Sequence, residues 1–134
     1  MLKKLTFFFL IIFIGNSVVA QDSDPINSTY VNLFISADKT IFVETEKTDF
    51  ENVEQKVSKM LRNKPFKVDQ PVTYRIFADE KLKMGFLIDI NQELLSAHKE
   101  NVRFEKYLLN TTKLDIDGAN WFDSIDLKKL KKVN

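Results

Sequence analysis

The stretch Val72–His98 constrains the fold more than any other part of the chain, because it contains the patterns of a strand, a turn and a helix in succession. Residues 72–78 are mostly strand formers and place large apolar groups on both alternating faces, which predicts a central strand of a sheet. Residues 79–81 form a charged turn. From about residue 83 to residue 98 the apolar residues recur at helical spacing, which predicts an amphipathic helix.

A further strand is predicted after that helix, at Val102–Leu109. A strand, a helix and a strand in succession indicate a βαβ crossover, in which the two strands are parallel neighbours. Upstream, the short strands 31–36 and 41–44 flank a polar four-residue turn and therefore predict a β-hairpin.

A first helix is predicted between the hairpin and the crossover. Thr48 and Glu51 have the spacing of a capping box, so we expect the helix to begin at Thr48. Its apolar residues fall on one helical face and are Phe50, Val53, Val57, Met60 and Leu61. The predicted fold class is α+β: a mixed sheet of four to five strands, with two helices packed on one face. The element order is ββαβαβ, plus a C-terminal extension at residues 111–134.

The second helix carries a stripe that we expect to face the sheet. The stripe consists of Met84, Leu87, Ile88, Asn91, Leu94 and Leu95. Gly85 lies in the first turns of the same helix, where a glycine costs about 1 kcal/mol relative to alanine. We therefore expect Gly85 to mark a close approach of the helix backbone to the sheet.

Residues 1–20 have the order of a secretory signal peptide: a positive start, an unbroken apolar run at residues 5–14, and small residues up to Ala20. The alternative is an uncleaved anchor in the inner membrane, but a spanning helix needs about 20 apolar residues. We expect a periplasmic or exported protein, with a flexible polar lead-in at residues 21–30 and a folded domain at residues 31–110.

The charge balance argues against a nucleic-acid partner. The chain has 20 basic and 19 acidic side chains, and residues 1–20 hold two of the lysines and no acid, which leaves 18 basic and 19 acidic. Nucleic-acid binders usually carry a strongly basic face. The sequence has no cysteine, which excludes disulfides and thiolate metal sites. We expect no cofactor.

No catalytic constellation is recognisable, so we expect a protein that is not an enzyme. His98 is the single histidine, and a histidine-based metal site usually needs a second histidine or a cysteine. Asp115 and Asp117 precede Gly118 as in a calcium loop, but that template needs glycine at its sixth position, which here is Asn120. A turn is the better interpretation of this segment.

The C-terminal extension contains an aromatic pair, Trp121 and Phe122, and a lysine cluster. The pair either closes over the core or contacts a partner, and its large buried area favours the core. We expect a short amphipathic helix over residues 121–133 that ends in Lys128, Lys129, Lys131 and Lys132. Used together, the pair and the lysines would make an exported cell-wall or polymer-binding module, which is the alternative function.

The segment Ile76-Phe-Ala-Asp79, followed by Leu82-Lys-Met-Gly-Phe-Leu-Ile-Asp-Ile90, resembles the periplasmic domain of the ExbD/TolR family. Members of that family carry an apolar-Arg-Ala-Asp strand end and then an apolar-Pro-Tyr-Gly turn into an amphipathic helix. The hairpin, the first helix and the following strand also occur in the order of the family. The resemblance covers roughly residues 32–109.

The resemblance implies a usually dimeric domain, with a mixed sheet and two helices on one side. It implies biopolymer transport in a proton-driven envelope complex, with an ExbB/TolQ-type channel partner and action on TonB or TolA. The implied partners are ExbB-, ExbD- or TonB-like proteins, a second copy of the chain, and peptidoglycan. The expected partner surface is the exposed face of strand 72–78, the turn and the start of the second helix: Arg75, Phe77, Asp79, Lys81 and Gly85.

The chain also departs from the family pattern. Phe77 stands where the family has arginine, and Lys83 and Met84 stand where it has proline and tyrosine. Residues 1–20 contain no acidic residue, whereas family members carry protons on a transmembrane aspartate, and a relay within a membrane needs an ionisable group. A chain of this kind would keep the periplasmic module and lack the motor part.

Overall fold

The strands and helices occupy most of the described chain. The computed structural model describes residues 28–64 and 70–133, so the predicted signal peptide lies outside the described residues. The elements are β1 (Thr29–Ile35), β2 (Ile41–Val43), β3 (Glu46–Thr48), α1 (Val53–Asn63), β4 (Val72–Asp79), α2 (Met84–Ala97), β5 (Val102–Leu109) and β6 (Lys132–Val133).

The six strands form one mixed sheet in the order β3-β2-β1-β4-β5-β6. β1, β4 and β5 are parallel to one another. At the edges each further strand pairs antiparallel with its neighbour: β2 with β1, β3 with β2, and β6 with β5. The predicted hairpin, the central position of β4 and the parallel pairing of β4 with β5 are confirmed. The α+β class is also confirmed, but the sheet has six strands instead of four to five. β3 and β6 have only three and two residues and contain a single apolar side chain between them, that of Val133, so the sequence shows no strand pattern there.

One face of the sheet is covered by the two α-helices, as predicted. Alternate residues of β1 and β4 pack against the buried positions of the helices, which are Val53, Val57 and Leu61 in α1 and Leu87, Ile90 and Leu94 in α2. The Tyr74 hydroxyl donates to the carbonyl oxygens of Leu94 at 3.0 Å and His98 at 3.1 Å, which fixes the end of α2 to β4. Burial raises the pKa of Tyr74 well above its usual value.

The opposite face is covered by residues 111–130, which we call the C-terminal cover. Trp121 is 1% exposed and packs on Phe34 and Phe77, with ring centroids at 5.4 and 5.5 Å. Further apolar residues of the cover pack around this cluster and are Leu114, Ile116, Phe122, Ile125 and Leu130. The interpretation of Trp121 as a core residue is confirmed, and the C-terminal extension is part of the same hydrophobic packing.

Several local predictions are wrong. Thr48 belongs to β3, and its hydroxyl donates to the Asp49 carbonyl at 3.4 Å, so the capping box does not form and α1 begins at Val53. Residues 121–133 do not form one amphipathic helix. The cover instead contains short 3₁₀ helices, at Gly118–Ser124 and Leu127–Lys129 among others, and the chain then enters β6. The lead-in also ends early, because β1 already begins at Thr29.

The expected face of α2 is only partly right. Leu87 and Leu94 are buried, whereas Met84, Ile88 and Leu95 are exposed. Gly85 is also exposed, and a Cβ atom added there would meet no atom within 4 Å, so the expected close approach to the sheet is wrong.

Substitution of Gly85 by alanine should therefore stabilise the protein. The change removes backbone freedom from the unfolded chain at a helical position with open space, and the gain should reach up to about 1 kcal/mol. Gly118→Ala is the matched control with the opposite sign, because Gly118 has a positive φ of 43° that strains an alanine. Urea unfolding of both variants measures this; destabilisation by Gly85→Ala would contradict the observed packing.

Substitution of Trp121 by alanine should destabilise the protein by about 3–5 kcal/mol, the cost of deleting a buried aromatic side chain. Leu127→Ala removes an apolar side chain that is exposed on the same cover, and it should cost at most about 1 kcal/mol. Thermal or urea unfolding compares the two variants. Equal small losses would mean that the cover is not packed on the sheet.

Candidate functional site

The second face of the sheet changes from apolar to polar along β4. The cover lies on the row that contains Phe34, Phe77 and Tyr107, neighbours in the register of β1, β4 and β5. One step toward the amino ends of the strands, the next row consists of Asn32, Arg75 and Glu105, all half-buried. We call this row and the side chains around it the Arg75 site.

The Arg75 guanidinium is held from several sides. Its Nε donates to Oδ1 of Asn32 at 2.8 Å. Its central carbon lies 4.2 Å from the centroid of the Tyr30 ring and 5.7 Å from that of Phe122, both within the range of a cation–π contact. These contacts fix the plane of the guanidinium and leave its two terminal nitrogens without a hydrogen bond to any described residue.

Arg75 forms no ion pair within the described part of the chain. The carboxylate opposite Arg75 in the register, Glu105, is engaged elsewhere: it accepts from the Tyr107 hydroxyl at 3.1 Å and lies 3.7 Å from Nζ of Lys132. Burial, followed by this contact with Glu105, raises the pKa of Tyr107. The arginine is therefore an oriented cation that its acidic neighbour does not neutralise.

A chain of hydrogen bonds connects the cover to the Arg75 site. The Trp121 indole donates to the Glu44 carbonyl at 2.6 Å. The Glu44 carboxylate in turn accepts from the backbone amide of Asn32 at 2.9 Å and from its side-chain amide at 3.3 Å. Asn32 then accepts from Arg75. Glu44 has a positive φ of 53°, an unfavourable conformation that these contacts hold in place.

Asp79 occupies a separate, structural position at the carboxyl end of β4. It is 1% exposed. Its carboxylate accepts from the Lys81 amide at 2.7 Å, from the Thr111 amide at 3.0 Å and from the Thr111 hydroxyl. Burial alone would raise the pKa of Asp79, but the bonds from Thr111 and Lys81 and the Lys81 charge outweigh it, so the pKa is lowered. Asp79 thus joins β4 to the start of the cover.

The predicted partner surface is only partly assembled. Arg75, Phe77 and Asp79 share one face of β4, but Phe77 and Asp79 are buried under the cover, so the expectation that this face is exposed is wrong for them. Lys81 is exposed in the turn that follows, and Gly85 is exposed on α2, which packs on the other face of the sheet. Of the five residues, only Arg75 is both partly exposed and held in place by neighbouring side chains.

Sequence reasoning missed Tyr30, Asn32 and Glu44 as parts of the site. The hairpin pattern assigned β1 to β2 but gave no sign that β1 also pairs in parallel with β4, which is what places Asn32 beside Arg75. One signal was available, because Asn32 is a polar residue within the apolar strand Thr29–Ile35. The sequence marks Phe122 only as a member of an aromatic pair with Trp121.

The geometry around Arg75 has the chemistry to bind an anion. A stacked arginine with two free terminal nitrogens matches a carboxylate or another planar anion in a bidentate contact. The described residues contain no group of three or more acidic or histidine side chains that could hold a metal ion. Within residues 28–64 and 70–133, no helix has both the length and the apolar character needed to cross a membrane.

Comparison with known proteins adds no assignment: no protein-family model matches the chain, and no curated protein matches its sequence.

Substitution of Asp79 by asparagine should make stability less dependent on pH. The folded pKa lies below the unfolded value of about 3.9, so ionised Asp79 stabilises the fold above about pH 5. This contribution is lost as the pH falls through the lowered folded pKa. At pH 7 the variant should be about 1–3 kcal/mol less stable than wild type, and the difference should shrink toward pH 3.

Urea unfolding at several pH values measures this difference, with Asp89→Asn on the exposed side of α2 as the control. A difference between wild type and Asp79→Asn that stays constant from pH 7 to pH 3 would contradict the role of the ionised carboxylate.

Proposed function

We propose that the chain is a non-enzymatic ExbD/TolR-like module of an envelope energy-transducing complex for biopolymer transport, and that it binds a protein partner through the Arg75 site. Residues 1–20 would direct it to the periplasm or anchor it in the inner membrane. The partner would be an ExbB-, ExbD- or TonB-like protein that presents a carboxylate to Arg75.

The observation that carries the proposal is the state of Arg75. Tyr30, Phe122 and Asn32 fix the guanidinium, yet no acidic side chain of the described residues pairs with it. A group that is already oriented loses little conformational freedom on binding, so more of its interaction energy appears as affinity. The bidentate geometry adds a preference for a carboxylate over a neutral group.

The fold supports the family part of the proposal. A mixed sheet with two helices on one face is the arrangement that the resemblance implies. The Ile76–Asp79 strand end and the start of α2 also lie in consecutive elements, as in the quoted pattern.

The alternative function is polymer binding through Trp121, Phe122 and the lysine cluster, but Trp121 is not available for it. Trp121 is buried between Phe34 and Phe77 and donates its indole hydrogen to Glu44, so it presents no free ring to a glycan. A truncation that removes residues 119–134 would uncover the apolar face of the sheet and disturb the Arg75 site as well. Loss of binding by the truncated chain would therefore not distinguish polymer binding from protein binding. Point variants at Arg75 are the better test.

The test is in-cell crosslinking of the full chain, followed by affinity capture through a tag after Asn134 and mass spectrometry. We expect wild type to capture an ExbB-, ExbD- or TonB-like protein. Arg75→Ala should reduce that capture by about tenfold or more, since removal of one partner of a buried charged contact costs at least about 2 kcal/mol. Arg75→Lys should also reduce it, because lysine lacks the planar fork.

Arg103→Ala is the matched control, because Arg103 is exposed on the same face of the neighbouring strand, opposite Thr73. It removes the same charge and should leave capture within about twofold of wild type. Capture of no such protein by wild type would contradict the proposed function. Equal capture by wild type and Arg75→Ala would contradict only the assignment of the site.

A further inference from the structure

The acidic neighbour of Arg75 does not bind it. Glu105 lies directly opposite Arg75 in the parallel register of β4 and β5, and neighbouring strands are about 4.8 Å apart. Oppositely charged side chains in such positions attract each other across the strands. Both residues belong to the described part of the chain and are half-buried on one face of the sheet, yet they form no ion pair with each other.

Arg75 and Glu105 are held toward opposite edges of the sheet. The Nε atom of Arg75 donates to Asn32 and the guanidinium lies over the Tyr30 ring, and both of these partners belong to β1. Glu105 is held on the other side of the pair by Lys132 of β6, whose Nζ atom lies 3.7 Å from Oε2 of Glu105. The two opposite charges are therefore drawn apart.

The register of β6 places Lys132 where it can make this contact. Lys132 is the antiparallel partner of Tyr107. Tyr107 is two residues after Glu105 in β5, and alternate residues of a strand share a face, so all three side chains lie on the same face. The Tyr107 hydroxyl donates to Oε1 of Glu105 at 3.1 Å. Each carboxylate oxygen of Glu105 thus has a partner other than Arg75.

Lys132 is the only cation that pairs with Glu105 within residues 28–64 and 70–133. Arg103 lies on the same face of β5, two residues before Glu105, but it forms no ion pair in the described part of the chain. Lys106 lies on the opposite face of the strand. The carboxylate therefore depends on one lysine for its place away from Arg75.

We propose that Lys132 is a positioning residue for the Arg75 site: it holds the Glu105 carboxylate on the β6 side of β5 and thereby keeps Arg75 available to the carboxylate of a partner protein. This inference rests on the proposed function of that site. Without Lys132, Glu105 would turn to the free terminal nitrogens of Arg75, its neighbour in the register, and would occupy the site from within the chain.

The attachment of β6 then controls whether the site is open. β6 has two residues and pairs with β5 at only two positions. Segments with so few contacts open at a low cost in free energy. Leu130, two residues before Lys132, packs into the apolar cluster of the C-terminal cover, so the cover guides β6 to its place. Release of β6 would withdraw Lys132 and close the Arg75 site.

Capture of the partner by the tagged full chain measures how available Arg75 is. Lys132→Ala should reduce capture by about fivefold, the factor that corresponds to a favourable ion pair across two strands. Lys132→Arg keeps the charge and should capture the partner like wild type. Lys131→Ala is the matched control, because Lys131 is exposed and has no ion pair within the described residues; it should change capture by no more than about twofold.

A second substitution at Glu105 separates positioning from a purely structural role of Lys132. Glutamine at this position is neutral and does not compete for Arg75. The double variant Lys132→Ala/Glu105→Gln should therefore restore capture to within about twofold of wild type. Thermal unfolding checks that the variants remain folded, which the 52% exposure of the Lys132 side chain predicts.

A readout without a partner makes the inference testable apart from the proposed function. In nitrogen–proton NMR spectra of the purified full chain, the Nε–H signal of Arg75 is identified by its absence in Arg75→Lys. This signal should shift in Lys132→Ala, because a carboxylate then binds the guanidinium, and should return to its wild-type position in Lys132→Ala/Glu105→Gln. If wild type captures no partner, the proposed function fails, and the signal still decides whether Lys132 positions Glu105.

Three results would overturn the role of Lys132. The first is an Arg75 signal that Lys132→Ala does not shift, or a shift that Glu105→Gln does not reverse. The second is a loss of capture in Lys132→Ala that persists in the double variant. The third is an equal loss of capture in Lys132→Ala and Lys131→Ala, which would mean that only the total charge matters.

Discussion

The structure depends on the burial of β4 from both sides. Its alternating residues include Tyr74 and Ile76 on one face and Phe77 on the other, all of them fully buried. Two helices cover one face and residues 111–130 cover the other, so neither layer alone removes the apolar surface of this strand from water. The C-terminal cover is consequently a structural requirement of the sheet. The hydrogen bonds that the Thr111 amide and hydroxyl donate to the Asp79 carboxylate fix the point at which that cover begins.

The same constraint positions the candidate site. Because Trp121 must lie over Phe34 and Phe77, its indole reaches the Glu44 carbonyl, and Glu44 and Asn32 then fix Arg75. Phe122, the neighbour of Trp121, contributes the second aromatic ring near the guanidinium. Stability and the orientation of Arg75 are therefore coupled through the cover. A rigid arginine at the border of a buried cluster is well suited to recognition of a partner, since few degrees of freedom remain to be fixed on binding.

The central part of the fold was predictable from the sequence, because a strand buried on both faces and an amphipathic helix leave clear patterns. The parallel pairing of β1 with β4 was not, since the register depends on contacts between residues 43 positions apart, such as Asn32 and Arg75. The cover consists of short 3₁₀ helices and irregular segments, which leave no periodic pattern in a sequence. Its sequence therefore indicates that Trp121 is buried but does not predict how the backbone of the cover runs across the sheet. In α2 the apolar residues cover a wider arc of the helix than the part that is buried. The sequence pattern alone therefore does not distinguish the exposed Met84, Ile88 and Leu95 from the buried residues.

Because Trp121 is buried between the sheet and the rest of the cover, the C-terminal cover should open only when the sheet itself unfolds. Hydrogen exchange measured by NMR tests this directly at the Trp121 indole, which donates to Glu44 beneath the cover. We expect the indole hydrogen to exchange as slowly as the most protected backbone amides of β4 and with the same dependence on denaturant. Exchange of the indole much faster than of those amides would mean that the cover detaches independently, and it would contradict the coupling between the cover and the Arg75 site.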